Sequence, residues 1–372
     1  MSGTLDRSVK RLVIAALRLC FPGNPPSPPG SPRSILVIRQ HNQLGDMLCV
    51  VPLLRALRST YREARIVLMT SLVNHEVMEG NRFLDGTILY DKRDFLGKWS
   101  LRVGALLSFI QKLRAHAFDT VIVPSTVSMS FTSDLFAFLS GARRRIGPSS
   151  LDGIPNPSAF VYTEKAELDW RRDPHRHQTR RNLDVVAGKG IETDDLSSEI
   201  TLTPGERERG KNRFLDLRGK GLMLVVYHPG AGKAANRWPA GRFARVANTL
   251  SRRWNARTII TCGPMDQEPV QEMVSALKDE YQLIQNEAIR VVASCLAEAD
   301  LVITNDTGIM HVAGAVGAPV LSLFGPTDFR QWAPIGEQNR CLAAPNGRIE
   351  AITEENVIQT ADEILRRRSV QK

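Results

Sequence analysis

Short apolar runs alternate with longer segments of helical periodicity along most of this chain. The runs in the first half predict strands at 35–39, 65–70, 87–90 and 120–124, and those in the second half predict strands at 222–227, 257–262, 281–285, 300–304 and 319–324. The segments between them predict helices at 46–60, 101–115, 131–140, 240–254, 267–278, 289–297 and 308–316. Alternation of this kind is typical of βαβ units, so we expect an α/β protein with two Rossmann-like domains whose parallel sheets face an interdomain cleft.

The same pattern divides the chain into five parts. We expect a basic amphipathic helix and a Pro-rich linker at 1–33, an N-terminal Rossmann-like domain at 34–185, an interdomain linker at 186–221, a C-terminal Rossmann-like domain at 222–350 and a terminal helix at 351–372. Residues 148–200 lose the periodicity, which predicts loops and a linking segment there.

Composition narrows the class of protein. At 372 residues, with 42% hydrophobic and 24% charged residues, the chain is typical of a soluble globular protein with more than one core. Its five cysteines are scattered without a Cys-x-x-Cys pair, which favours a reducing compartment over a disulfide framework or a zinc site. The net charge of +10 favours anionic partners. Nucleic acid is not expected among them, because no binding module is recognisable and aromatic residues make up only 6%.

The first 20 residues predict an amphipathic helix. Its apolar residues share one face, flanked by the cations Arg7, Lys10, Arg11 and Arg18. A membrane-spanning helix is not expected, because no run of 18 apolar residues occurs in the sequence. Two interpretations stay open: the helix lies on an anionic membrane face, or it docks on its own domain.

A polar turn between two apolar runs near the C-terminus predicts a site for an anion. Asp306, Thr307 and Gly308 follow the strand at 300–304 and begin a helix of small residues that carries His311. The free N–H groups at the start of such a helix point towards the carboxyl edge of a parallel sheet and suit a diphosphate. The alternatives are an ordinary Asp/Thr helix cap and, for His311, a packing role.

A glycine-rich basic loop precedes the helix at 240–254. Gly230 and Gly232 permit close approach of the backbone, and Lys233 and Arg237 supply positive charge for phosphates. The loop is not a P-loop, which needs Ser or Thr after the lysine. It also lacks the acidic residue after the next strand that completes a dinucleotide fingerprint. The alternative is a surface loop with two solvated cations.

Three motifs, in this order and spacing, resemble glycosyltransferase family 9, the heptosyltransferases of lipopolysaccharide core synthesis. They are Gly45-Asp46 with Pro52 and Leu57, His228-Pro229-Gly230 with Arg237-Trp238-Pro239, and Asp306-Thr307-Gly308 through His311 to Phe324-Gly325-Pro326-Thr327. The resemblance covers roughly residues 34–368. It implies a GT-B fold with an N-terminal acceptor domain, a C-terminal nucleotide-sugar donor domain and a terminal helix that packs back on the N-terminal domain.

The resemblance also implies inverting transfer of a sugar, by likeness heptose from ADP-heptose, to an acceptor of the lipopolysaccharide core or a related glycan. Asp46 matches the general base, for which a helix N-cap is the alternative. Pro52 implies a kink or a late start in the helix that follows. Gly45, Arg39 and Arg145 are candidates for the acceptor site, since an anionic acceptor would account for arginines in this half.

On the donor side, the resemblance assigns the sugar hydroxyls to Asp306 and the ribose to Glu268, for which a first-turn helix acid is the alternative. Many family members carry Lys where this chain has Asn236. The phosphate-binding cation is therefore either Lys233 or Arg237.

No metal or other cofactor is expected beyond the nucleotide-sugar cosubstrate. The sequence has no Asp-x-Asp pair, which agrees with stabilisation of the leaving group by cations and helix dipoles. We expect a cytoplasmic protein, with peripheral contact to the inner membrane face as an option. Two rival functions stay open: a sugar-nucleotide epimerase on the same scaffold and a non-catalytic basic protein that binds polyanions.

Overall fold

The computed structural model describes residues 14–15, 18, 30–40, 43–95 and 102–371. The chain forms two compact units, and it passes between them several times. The first unit comprises residues 1–42, 52–75 and 82–194, and the second comprises 43–51, 76–81 and 195–372. Most of the amphipathic helix expected at 5–20 lies outside the described residues. Arg18, which is described, donates from Nη2 to the carbonyl oxygen of Pro157 at 3.0 Å.

The first unit is built on a mainly parallel sheet. Its described strands are β1 (Ser34–Ile38), β2 (Arg65–Ser71), β3 (Gly86–Tyr90), β4 (Thr120–Ile122), β5 (Arg144–Leu151), β6 (Ile154–Pro155) and β7 (Glu164–Leu168). They lie in the order β3-β2-β1-β4-β5, with antiparallel β6 and parallel β7 both paired to β5. The helices that begin in this unit or enter it are Val51–Thr60, Leu72–Met78, Lys92–Phe95, Val103–Ala115, Phe131–Leu139 and Gln178–Asp184.

The second unit contains a wholly parallel sheet in the described chain. Its strands are β8 (Met223–His228), β9 (Ala256–Cys262), β10 (Tyr281–Gln285), β11 (Leu301–Asn305), β12 (Val320–Phe324) and β13 (Arg340–Ala343), in the order β10-β9-β8-β11-β12-β13. Its helices are Leu44–Leu48, Pro204–Arg213, Leu215–Gly219, Ala240–Trp254, Gln267–Ser275, Ile289–Leu296, Gly308–Ala315, Phe329–Trp332 and Glu354–Gln371. Because β8 and β11 are neighbours, the strand order reverses between them, and their carboxyl ends flank the usual ligand position of such folds.

The structure confirms every strand expected from the apolar runs, with ends shifted by at most two residues. Strands β5, β6, β7 and β13 were not expected. β5 contains Gly147 and Pro148, and β7 has the half-exposed sequence Glu-Lys-Ala-Glu-Leu, so neither forms a continuous apolar run. The helix expected at 46–60 is interrupted at Cys49 and Val50, and Pro52 lies in the first turn of the second piece, as its position predicted.

Residues 186–221 are not a simple linker. They contain the helix Pro204–Arg213, which begins with a capping box formed by Thr203 and Glu206 and packs on the helix Ile289–Leu296. This helix has almost no apolar residues, so hydrophobic periodicity could not reveal it.

Arg290 holds the segment 76–81 against the rest of the second unit. Its Nη1 donates to the carbonyl oxygens of Glu76 and Glu79 at 2.8 and 3.1 Å. Its Nε and Nη2 donate to the carboxylate of Glu206 at 2.5 and 2.6 Å. These hydrogen bonds hold the pKa of Glu206 near 2, below its usual value, so the buried pair is ionised over the physiological range.

The C-terminal helix Glu354–Gln371 buries Leu365 and neighbouring apolar residues in the core of the second unit. It packs on the helix Ala240–Trp254, and Trp254 Nε1 donates to Asp362 at 2.7 Å. The apolar side of the helix is thus covered within its own unit, and its docking on the N-terminal domain stays a prediction. No helix in the described parts of the chain has the length and apolarity needed to cross a bilayer.

Candidate functional site

Four loops meet at the carboxyl edge of the second sheet. They follow β8, β9, β11 and β12, and they include residues 229–239, 263–266, 306–307 and 325–328. Ligands of parallel α/β sheets bind at this edge. All donor-site residues predicted from the sequence lie in these loops or in the helices that begin from them, as the following paragraphs describe.

Asp306 lies at the centre of the edge, directly after β11. Its Oδ2 accepts a hydrogen bond from Asn236 Nδ2 at 2.9 Å. Burial raises the pKa of Asp306, while the Thr327 hydroxyl and the charge of Lys233 act in the opposite direction. The carboxylate is therefore a half-buried hydrogen-bond acceptor with a cation nearby, which suits the hydroxyl groups of a sugar.

Thr307 and Gly308 connect this carboxylate to the helix Gly308–Ala315. Thr307 has extended backbone and is the N-cap residue, but its side chain makes no capping hydrogen bond. The hydroxyl instead lies 3.5 Å from the hydroxyl of Thr304. The first-turn N–H groups of the helix thus have no side-chain cap from Thr307 and are suited to an anionic ligand.

Asn305 holds both ends of the glycine-rich loop. Its Nδ2 donates to the carbonyl oxygens of Pro229 and Gly230 at 2.9 and 3.1 Å. Its Oδ1 accepts from the backbone N–H of Trp238 at 3.1 Å, and the Trp238 indole is fully buried. With its ends fixed, the loop presents Gly232 at the surface.

The two cations of this loop differ in availability. Lys233 is exposed and makes no direct ion pair within the part of the chain that the structure describes. Arg237 is half-buried, donates to the carbonyl oxygen of Ala231 at 3.2 Å and lies 3.8 Å from the carboxylate of Glu268. Glu268 is 90% exposed and open to a ligand. Lys233 is therefore the more available of the two cations for a phosphate.

Gly230 is required by a close approach of Asp266. A Cβ atom on Gly230 would lie 2.0 Å from Asp266 Oδ1, which leaves no room for any side chain. Asp266 Oδ2 accepts from the N–H of Gly263 at 2.9 Å and lies 3.9 Å from Nε2 of His228. Burial lowers the pKa of His228, so its ring is neutral at physiological pH. This cluster supports the loop from beneath. The resemblance placed the ribose-binding acid in the run Asp266-Gln267-Glu268, but this supporting role of Asp266 was not expected from the sequence.

The helix Leu44–Leu48, which carries Asp46, packs against the helix Gly308–Ala315 within the second unit. A Cβ atom on Gly45 would lie 2.6 Å from the ring of His311, so glycine is required at this contact. Asp46 is 5% exposed, and His311 is 6% exposed with its ring edge-to-face on Trp332. One helix pair thus positions both Asp46 and the Asp306 loop. The predicted contact of Gly45 with acceptor stays a prediction.

The two arginines predicted for the acceptor site have other partners. Arg39 is 2% exposed and donates to the carbonyl oxygen of Pro124 at 3.3 Å and to the Thr126 hydroxyl at 3.0 Å. Arg145 is 7% exposed and donates to the carbonyl oxygens of Val161, at 2.6 Å, and Ala142. Both guanidinium groups hold neighbouring segments of the first unit, and their contact with acceptor stays a prediction.

The first unit has a cavity at the carboxyl ends of β1, β2 and β3. Its volume is about 510 Å³, and it is lined by Gln40, Ser71, Leu72, Val73, Tyr90, Asp91, Lys92 and Arg93. Lys92 supplies positive charge, the guanidinium of Arg93 is paired with the carboxylate of Asp91 at 2.6 Å, and Leu72 and Val73 are exposed apolar residues. The sequence singled out none of these residues, because they come from three separated segments that only the sheet brings together.

Comparison with known proteins gives similarities over most of the chain. Residues 106–361 match the profile of glycosyltransferase family 9 (heptosyltransferase). The chain is 25% identical to lipopolysaccharide heptosyltransferase 3 of Escherichia coli over 303 residues, which cover 78% of this chain and 83% of that protein.

Two solved structures share the fold of two Rossmann-like domains, which confirms the predicted GT-B class. A glycosyl transferase family 9 from Veillonella parvula DSM 2008 has a TM-score of 0.78 at 24% identity, covering 90% of this chain and 98% of that one. E. coli ADP-heptose LPS heptosyltransferase II has a TM-score of 0.74 at 21% identity, covering 90% and 99%.

Proposed function

This chain belongs to glycosyltransferase family 9, and on that basis we propose that it transfers heptose from ADP-heptose to an acceptor of the lipopolysaccharide core or a related glycan. The names of a relative and of a solved structure support this donor and this class of acceptor. The observation that carries the proposal is the packing of the Asp46 helix on the helix that begins at Gly308. A single displacement at the anomeric carbon requires a carboxylate as the base and a site for the diphosphate that leaves. Here one unit would supply both.

In this mechanism, Asp46 accepts the proton of the attacking acceptor hydroxyl. The acceptor oxygen forms a bond to the anomeric carbon as the bond from that carbon to the diphosphate breaks, and the nucleoside diphosphate leaves with the electron pair. Lys233 and the N–H groups at the start of the helix Gly308–Ala315 stabilise the charge that develops on the leaving group. Asp306 holds the sugar through its hydroxyls, and Glu268 holds the ribose.

We assign the acceptor to the cavity at the carboxyl ends of β1, β2 and β3. Its apolar residues suit the face of a sugar ring, and Lys92 suits a phosphate or carboxylate on the acceptor. Gln40, at the wall of the cavity, lies six residues before Asp46 in the sequence.

A lipid-linked acceptor would bring the enzyme to the inner face of the cytoplasmic membrane. The cations Arg7, Lys10 and Arg11 flank the apolar face of the helix that the sequence predicts, and this pattern supports peripheral contact. Co-sedimentation with anionic and with neutral vesicles tests it: binding to anionic vesicles alone, weakened by salt, is expected. No binding to either vesicle would refute it.

A thermal-shift panel of nucleotide sugars tests the donor. ADP-heptose should raise the melting temperature more than UDP- or GDP-sugars, because only a ligand that binds the folded state stabilises it. A larger shift with a UDP- or GDP-sugar would refute the assignment of ADP-heptose.

The variant Asp46→Asn tests the base. It should bind ADP-heptose with unchanged affinity while kcat for transfer falls about 100- to 10,000-fold, the usual contribution of a general base. Transfer at the wild-type rate would remove Asp46 from the mechanism. Consumption of ADP-heptose by the wild-type protein without any acceptor would instead favour the epimerase.

A further inference from the structure

The side-chain amide of Asn236 links two parts of the candidate donor site. Nδ2 donates to Oδ2 of Asp306 at 2.9 Å and to Oγ1 of Thr327 at 3.2 Å. The backbone N–H of Asn236 donates to the carbonyl oxygen of Lys233 at 3.0 Å. One residue therefore connects the glycine-rich loop to the loops after β11 and β12.

The carbonyl oxygen of this amide is the unusual feature. Oδ1 is buried and accepts no hydrogen bond from the residues that the structure describes, and Asn236 as a whole is 6% exposed. A buried oxygen without a donor costs free energy, so the hydrogen bonds that Nδ2 makes are what hold the amide in this position. The reverse orientation of the amide would put Oδ1 against an ionised Asp306 carboxylate, so Nδ2 towards Asp306 is the favourable arrangement.

The charges around Asn236 indicate which part of the donor lies there. The Asp306 carboxylate repels a phosphate, whereas exposed Lys233 attracts one. Sugar hydroxyls are neutral and donate to carboxylate and amide oxygens alike. The side of the site formed by Asp306, Asn236 and Thr327 therefore suits the sugar, and the side formed by Lys233 suits the diphosphate.

We propose that Asn236 is a positioning residue for the transferred sugar: its Nδ2 holds the carboxylate of Asp306 and the hydroxyl of Thr327 in the arrangement that receives the sugar hydroxyls. This inference rests on the proposed function and adds to it a residue that distinguishes the nucleotide sugar from the free nucleotide. Binding of the diphosphate alone does not depend on the Asn236 side chain.

Titration calorimetry of the full chain with ADP and with ADP-heptose tests the proposal. Asn236→Leu keeps the approximate volume and removes both polar groups. Its affinity for ADP-heptose should fall about 10- to 100-fold, and its affinity for ADP should stay within about twofold. Asn236→Asp, which is isosteric, should lose at least as much affinity for ADP-heptose, because it places a second carboxylate against Asp306. The Asp variant carries the test if the Leu variant does not fold.

Asn248→Leu is a matched control. Asn248 is also 6% exposed and lies in the second unit, where its amide donates to the carbonyl oxygen of Ala276 at 3.0 Å and accepts from Lys278 N–H at 2.9 Å. It belongs to the helix Ala240–Trp254, away from the four loops. The control should lower the melting temperature as Asn236→Leu does, with both affinities unchanged.

Three outcomes would overturn the inference, and they are distinguishable. Equal losses for ADP and ADP-heptose in Asn236→Leu would make Asn236 a support of the loop only. Unchanged affinity for both ligands in that variant would exclude it from the site. Failure of the wild-type protein to bind ADP-heptose would refute the proposed function itself, and the inference with it.

Discussion

Replacing Gly45 with alanine should impair transfer far more than it impairs folding. The new Cβ atom would lie 2.6 Å from both Cδ2 and Nε2 of His311, whereas ordinary contacts between such atoms are about 3.5–4.0 Å. Roughly 1 Å of movement is therefore required. The His311 ring cannot simply turn into solvent, because it is 6% exposed and lies against Trp332 with ring centroids 6.1 Å apart.

Overpacking of this kind costs about 1–3 kcal/mol, which corresponds to a fall in melting temperature of about 2–12 °C for a unit of this size. If the helix Leu44–Leu48 takes up the movement, Asp46 is displaced by about 1 Å, and a displacement on that scale costs roughly 100-fold in rate. We therefore expect kcat for transfer to fall about 100-fold. Steady-state kinetics and scanning calorimetry on the same preparation measure the two effects.

Two further variants make this prediction specific. Gly104→Ala is the control, because Gly104 is also helical and its added Cβ would meet nothing within 4 Å. His311→Ala should relieve the clash, so adding Gly45→Ala to it should cost little further stability, a coupling of about 1 kcal/mol or more. Additive losses in the double variant, or a kcat of Gly45→Ala within threefold of wild type, would refute the reasoning.

Three other variants follow from the structure. Glu206→Gln should lower the free energy of unfolding by about 2–3 kcal/mol at pH 7 in urea titrations, because it removes the charge that Arg290 binds. Since the folded pKa of Glu206 is about 2 and its usual value is 4.5, the wild-type contribution is complete above about pH 4.5 and is lost as the pH falls towards 2. An equally steep acid dependence in the Gln variant would contradict this. Lys233→Ala should leave the melting temperature within about 1 °C and weaken ADP binding about 10-fold, with Lys233→Arg closer to wild type; equal affinity in all three proteins would remove Lys233 from the phosphate site. Arg145→Met should destabilise the first unit in urea without a specific rise in KM for acceptor, whereas a stable protein with a raised KM would restore the sequence-based assignment.

The sequence predicted the strands well, because buried parallel strands are apolar runs. It predicted the loops of the donor site for a related reason: Asp306 and Gly230 follow such runs directly. Whether the individual residues bind donor stays a prediction. The sequence did not reveal Asn236 as a partner of Asp306, because that contact joins loops 70 residues apart. The sequence marked position 236 only as a departure from the Lys that many family members carry there.

The sequence could not assign the arginines of the first half. Arg39 and Arg145 follow or begin strands, where a ligand contact and a buried backbone contact have the same pattern. Their burial depends on distant segments, such as the one that carries Val161, and a contact with acceptor stays a prediction. The sequence also did not show that the helix Leu44–Leu48 belongs to the second unit, because its partner helix begins far along the chain, at Gly308. The glycine at position 45 is a local sequence feature that this contact requires.

The interleaved course of the chain has a consequence for biosynthesis. The helix Leu44–Leu48 leaves the ribosome about 260 residues before the helix against which it packs. At translation rates of roughly 5–20 residues per second, the nascent chain carries Met47 and Leu48, both fully buried in the finished protein, for tens of seconds before their partner helix exists. Chaperones that recognise such apolar segments would meet this stretch early. A gene split before Asp195 would yield a second half that must capture this helix from another polypeptide.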